Sequence, residues 1–154
     1  MSAMLTPDML FLTANTVALW GWIALLASPV IPTLSNRIAA TIIPLFLAAA
    51  YTVLAALYLV DGLATGGGSY MTLDGVAALF KTKEVILIGW LHVLAFDLFV
   101  GAWITRTART EAIPFWLVIL CLVPTFAFGP AGYLIFQLIR GVRGRDARRA
   151  AGAT

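Results

Sequence analysis

The chain has 154 residues, of which 62% are apolar and 11% charged, and its mean hydropathy is +0.98. A soluble domain carries about 25% charged residues, so a soluble globular enzyme, a disordered chain and a disulfide scaffold are all excluded. What remains is an all-α integral membrane protein of one small bundle, because apolar runs of about 20 residues satisfy their backbone in lipid as helices.

In chain order, Thr6, Pro7 and Asp8 read as a helix start, with Thr6 as N-cap and proline at the first helical position. The first span runs over about 7–28 and is ended by Pro29 and Pro32. A second covers about 37–60, carries Pro44 in its early turns, and stops at Asp61-Gly62. The connection 61–83 holds a flexible break, Gly66-Gly67-Gly68-Ser69, and a short interfacial helix over Leu73 to Phe80. The third span is expected over about 84–104 and the fourth over about 114–139, kinked by Pro124, Gly129 and Pro130. The expectation is therefore a four-transmembrane-helix bundle as a single domain over 1–140, followed by a basic tail, 141–154.

Four crossings place the N-terminus, the 61–83 loop and the tail on one side. That side carries seven basic residues: Lys81, Lys83, Arg140, Arg143, Arg145, Arg148 and Arg149. The other carries three, Arg37, Arg106 and Arg109, so the positive-inside rule puts both termini in the cytoplasm. The Arg140–Arg149 cluster reads first as a topology determinant and second as a contact for anionic membrane lipids. The basic residues form no patch with aromatics, which speaks against nucleic acid. The single Cys121 lies in an apolar run and reads as a small buried hydrophobe. The N-terminus lacks the charged region and cleavage site of a signal peptide.

The informative residues are the polar ones inside the third span: Glu84 at its mouth, His92 near the middle and Asp97 slightly beyond. An ionised carboxylate at that depth costs roughly 2.5–3.5 kcal/mol, so such a group faces the bundle interior, finds a partner and marks a functional path. Candidate partners for Asp97 are His92 and Asn15 of the first span. At about 100° per residue, Glu84, His92, Ala95, Phe99 and Arg106 share one side of the helix, while Asp97 lies about 140° from His92, with Trp90 and Gly101. His92 and Asp97 therefore either flank a ligand or reach different neighbouring helices. Glu84, His92 and Asp97 cannot converge on a metal from one helix, and no cofactor motif appears in any span.

The run Lys83-Glu84 through Trp90-Leu91-His92-Val93-Leu94-Ala95-Phe96-Asp97-Leu98-Phe99-Val100-Gly101, with Pro124-Thr125-Phe126-Ala127-Phe128-Gly129-Pro130-Ala131-Gly132 after it, resembles the abscisic-acid-deficiency family of small four-helix membrane proteins. Its plant member is a neoxanthin synthase. The resemblance implies carotenoid chemistry: a redox-neutral isomerisation that opens an epoxide and creates an allene, using no cofactor or metal. Such a reaction needs an acid at the epoxide oxygen and a base at the proton lost from the polyene. On that basis Asp97 or Glu84 is the expected acid and His92 the base. Asn15 would bond the ring oxygen, and Trp90, Phe96, Phe99 and Phe126 would line a groove for the carotenoid or other isoprenoid.

Without a transit peptide the chain reads as a bacterial-type member, in the inner membrane. Two other functions fit the same residues. One is a non-enzymatic carotenoid- or lipid-binding subunit of a larger membrane complex, packed through Gly21, Gly101, Gly129 and Gly132. The other is a proton-linked small-molecule transporter, which a homodimer would enlarge.

Overall fold

A computed structural model of the chain describes residues 6–59 and 68–151, and these are helices joined by short turns, with no strand among the described residues. The expected stop at Asp61-Gly62 and the Gly66-Gly67 part of the break lie outside the described residues. Helix α1 (Pro7–Leu26) starts as the sequence predicts, with the Thr6 hydroxyl accepting from the Met9 N–H at 3.3 Å and Pro7 in the first turn. After a turn at 27–31 comes the long helix α2 (Pro32–Tyr58). Its segments Ile38–Ile42 and Ala55–Leu59 are π-helical, the first of them just before Pro44. The wider turn there lets the Ile43 N–H reach the Ile38 carbonyl, which absorbs the irregularity that proline imposes on a helix. The short helix α3 (Leu73–Leu79) is capped by Thr72, whose hydroxyl accepts from Gly75 N–H at 3.0 Å.

The third long helix, α4 (Lys83–Thr110), is the centre of the bundle. Small residues let its neighbours close on it: Gly21 of α1 packs on the Leu98 side chain, and Gly101 packs on Trp22 and Leu25. Ala95, Leu98, Ala102 and Ile104 are buried there with Leu25 and Leu47. Among the described residues, three helices are long and apolar enough to cross a membrane: α1, α2 and α4. Asp8 and Lys83 form an exposed ion pair at 3.0 Å at one end of the bundle. At the other end Arg109 Nη2 donates to the Ser28 carbonyl at 3.1 Å and Arg106 Nη1 to Asn36 Oδ1 at 3.3 Å.

The expected fourth span over 114–139 is the main correction. It is two helices, α5 (Phe115–Phe128) and α6 (Pro130–Ala151), separated by Gly129 at φ +42° and ψ −87°. The 14 residues of α5 reach about 21 Å, short of the roughly 30 Å of a hydrocarbon core. From Gly129 the chain turns back on itself. Gly132 lies against Thr125 and the Cys121 carbonyl, and Tyr133 and Phe136 stack on Trp103, at 5.4 and 5.5 Å. Arg140 then reaches Glu111, with its Nε 2.9 and 2.8 Å from the two carboxylate oxygens, and Arg143 reaches toward the Ala112 carbonyl. Rising along α6 therefore means rising along α4 from Asp97 to its C-terminal end. The pair α5–α6 is a re-entrant hairpin whose tip stops at the depth of Asp97, near the middle of α4.

The start of α1 lies at the Lys83 end of the bundle, and α6 at Arg140 and Arg143 lies at the Arg109 end. A hydropathy window does not separate a crossing from a hairpin, because both are apolar along their length. The break lies where proline follows glycine: Pro130 fits the first position of a new helix and Gly129 adopts a backbone that L side chains rarely take.

The clamp at the open end of the hairpin is electrostatic. Hydrogen bonds from Arg140 hold the Glu111 carboxyl below its usual range. A lowered folded pKa means that the contribution is fully present at neutral pH and is lost as pH falls through that lowered value. Both groups are partly exposed, so the effect is small. Protection against hydrogen exchange over 130–140, corrected for the intrinsic pH dependence of amide exchange, is expected to fall slightly on acidification below the usual glutamate pKa of about 4.3, and Glu111→Gln should abolish that fall.

Candidate functional site

Because the hairpin ends at Asp97, the half of α4 between Asp97 and Lys83 is uncovered on that face. Ile86, Val93 and Phe96 are exposed there, although each is apolar. Below the tip a cavity of about 500 Å³ opens sideways, between α2, the region around α3, and α4. Its walls are Tyr51, Tyr70, Leu79 and Phe80 on one side and Gly89, Trp90, His92 and Val93 on the other. Gly89 makes room for the Phe80 ring, since a Cβ there would lie 2.7 Å from it.

His92 is exposed in this wall, with the Tyr51 ring at 5.8 Å and the Phe96 ring stacked on it at 4.6 Å. Trp90 is fixed from α1: its Nε1 donates to Asn15 Oδ1 at 3.1 Å, and Phe11 packs on the indole at 5.7 Å. Asn15 in turn donates to the Phe11 carbonyl at 2.7 Å, so its amide holds the wall in place rather than projecting into the space.

Asp97 lies five residues beyond His92 on α4, outside the cavity lining. Its carboxyl stands against Gly129, close enough that a Cβ at that position would collide with it. It thus meets the residue just before the first turn of α6, where helix N–H groups and the positive end of the helix dipole favour a carboxylate. Asp97 does not line the cavity, but it lies within electrostatic reach of His92. The Trp22–Phe126 edge contact at 5.4 Å seals the tip against α1. Irregular backbone at membrane depth is tolerated where protein covers it in this way.

The other expected site residues lie elsewhere. Glu84 sits in the first turn of α4, in a crevice with Pro7, Leu10, Leu54 and Tyr58, two helical turns from His92 and outside the cavity. Phe96 joins the site through His92, whereas Phe99 is an exposed side chain outside the lining and Phe126 packs on Trp22. Tyr51, Tyr70, Phe80 and Gly89 were not among the expected residues. Tyrosines near span ends read as interface anchors, and nothing in the sequence tells an anchor from a cavity wall. Among the described residues no group of three or more His, Cys, Asp or Glu side chains gathers as a metal site.

The fold and cavity define a class: a small helical membrane protein with a laterally open apolar cavity beside a mid-membrane acid. The ABA DEFICIENT 4-like family profile matches residues 9–136, which covers most of the chain and includes both the cavity wall and the hairpin. The chain belongs to that family. No curated protein and no solved structure matches it.

Proposed function

We propose that the cavity beneath the hairpin takes the ring end of a carotenoid or related isoprenoid, whose polyene extends into the membrane. The observation that carries this reading is the cavity itself: about 500 Å³, walled by aromatic and aliphatic side chains, open sideways, with His92 in its wall. A site of this size suits one end group, and lipid-soluble substrate enters from the side without crossing water. Family membership supports the same substrate class.

The reaction we propose is a redox-neutral isomerisation of an epoxy end group. His92 takes the proton lost from the polyene carbon next to the ring. The epoxide C–O bond opens and its oxygen is protonated, the electrons of the broken C–H bond forming the new double bond. Asp97, five residues beyond His92 on α4, supplies the proton, and Glu84 is too far along α4 to share the step. Trp90, held by Asn15, orients the ring. In cells that make epoxy-carotenoids, expression of the chain is expected to yield an isomer of unchanged mass. His92→Ala should lower its formation by about 10²-fold or more, the usual contribution of a general base. Asp97→Asn should do the same. Pigment that co-purifies chemically unchanged with the wild type, and is lost from the variants, would instead mark a binding subunit, a reading favoured by the absence of Asp97 from the cavity lining. If neither variant alters bound pigment or product, the site is elsewhere.

We also propose the orientation. The face shared by Asp8 and Lys83 carries two basic residues, Lys81 and Lys83, and the opposite face carries the other eight. The positive-inside rule then places the Arg109 and Arg140 face in the cytoplasm and the start of α1 on the far side.

A further inference from the structure

The arginine-rich face holds a second cavity of about 140 Å³, at the opposite end of the bundle from the first. It lies where the turn after α1, the last turns of α4 and the start of α5 meet, and Ser28, Thr105, Arg109, Ile113, Phe115 and Val118 line it. Three independent features there favour the same kind of ligand. Ser28 is 1% exposed, yet its Oγ has no hydrogen-bond partner among the described residues, whereas buried hydroxyls as a rule have one. Arg109 uses one of its five N–H groups on the Ser28 carbonyl and keeps its charge, because Glu111, two residues on, is bonded to Arg140. Helix α5 begins with Pro114 as its N-cap and no side-chain cap, so the N–H groups of Phe115 and Trp116 have no partner inside the helix.

A guanidinium, a hydroxyl and the start of a helix are donors and positive potential converging on one space. That combination recognises a tetrahedral oxyanion. The space is also much larger than the roughly 10–15 Å³ needed by one water molecule, so satisfying Ser28 with a single water would leave it largely unfilled. We propose that this cavity binds a phosphate group, with Arg109 and Ser28 as side-chain ligands and the first turn of α5 as the backbone part. Arg106 lies one turn of α4 before Arg109 and adds to the positive potential. The cavity sits at the surface end of α4, at the depth of lipid headgroups, so the phosphate belongs to a phospholipid headgroup or to a soluble phosphate. The proposal does not depend on the chemistry at His92.

The test uses the full chain in detergent. Phospholipid retained through exchange is counted by native mass spectrometry after loading with phosphatidylglycerol, and inorganic phosphate is titrated separately into delipidated protein. Arg109→Gln is expected to reduce retained phospholipid about tenfold and Ser28→Ala about threefold. Arg143→Gln, on the same face but outside the cavity, should leave retention unchanged. That pattern supports the site with a headgroup as its source. Retention of no lipid, but phosphate binding weakened by the same two variants, supports it with a soluble source. Ser28→Ala removes one unpartnered hydroxyl and keeps the fold testable if Arg109→Gln does not fold. Binding unaffected by Arg109→Gln and Ser28→Ala, or equally reduced by Arg143→Gln, overturns the proposal, because the second result describes a diffuse charged surface.

Discussion

A cysteine placed at Gly144 is expected to react with a membrane-impermeant thiol reagent from the same side as one at Thr110, and from the opposite side to one at Lys81. The prediction is all-or-none, because a hairpin and a crossing leave α6 on different faces of the membrane. Gly144 is a suitable position, as a side chain there meets nothing within 4 Å, and the native Cys121 is fully buried and gives little background. In intact cells the Gly144 and Thr110 positions should be protected and the Lys81 position labelled, if the eight-to-two distribution of basic residues sets the orientation. Labelling of Gly144→Cys together with Lys81→Cys would mean that α5 and α6 cross the membrane after all. The half of α4 that carries His92 would then be covered.

The second large effect concerns the two glycines that shape the tip. At Gly132 a Cβ would collide with the Thr125 side chain and with backbone atoms of Cys121 and Thr125. Backbone cannot move aside as a flexible side chain can, so Gly132→Ala is expected to cost about 1–3 kcal/mol or more. At Gly129 the positive φ alone costs an L residue about 1–3 kcal/mol, and the new methyl group also displaces Asp97. By contrast, Gly141 lies in open space on α6, where alanine should stabilise the helix by about 0.5–1 kcal/mol. Unfolding of the three variants in mixed micelles separates these cases by sign. Should Gly129→Ala and Gly132→Ala behave like Gly141→Ala, the close approach of the two hairpin arms is wrong. Gly129→Ala should also reduce any activity, since it moves the acid nearest to His92.

These two tests concern the feature on which the functional reading depends. A fourth full crossing would cover the lower half of α4, where Ile86, Val93 and Phe96 are now exposed. The hairpin instead ends halfway. Its end leaves the wall carrying His92 uncovered and packs Gly129 against Asp97. An acid at mid-membrane depth is costly, and here it is met by the start of α6 in place of a lysine or arginine. The paired positions of the motif, Asp97 in one segment and Gly129 in the other, are therefore a contact between α4 and the hairpin tip.

Much of this protein is determined locally and can be read from its sequence. Low charge and long apolar runs require helices in lipid, because no other open structure pairs its backbone there. The starts of α1 and α3 follow from Thr6, Pro7 and Thr72, whose side chains and fixed φ act within one turn. The residues around His92 and Asp97 are distinctive enough to indicate the family. Direction and partnership are different, since they depend on which segments meet. Apolar content is the same whether α6 continues α5 or doubles back, and the Arg140–Glu111 pair that marks the return joins residues 29 apart in the chain. Helical angles place His92 and Asp97 on different sides of α4 but do not say that one faces a cavity and the other a helix start. Only the packing of the hairpin against α1 and α4 decided that, because the site is the space left where the hairpin stops.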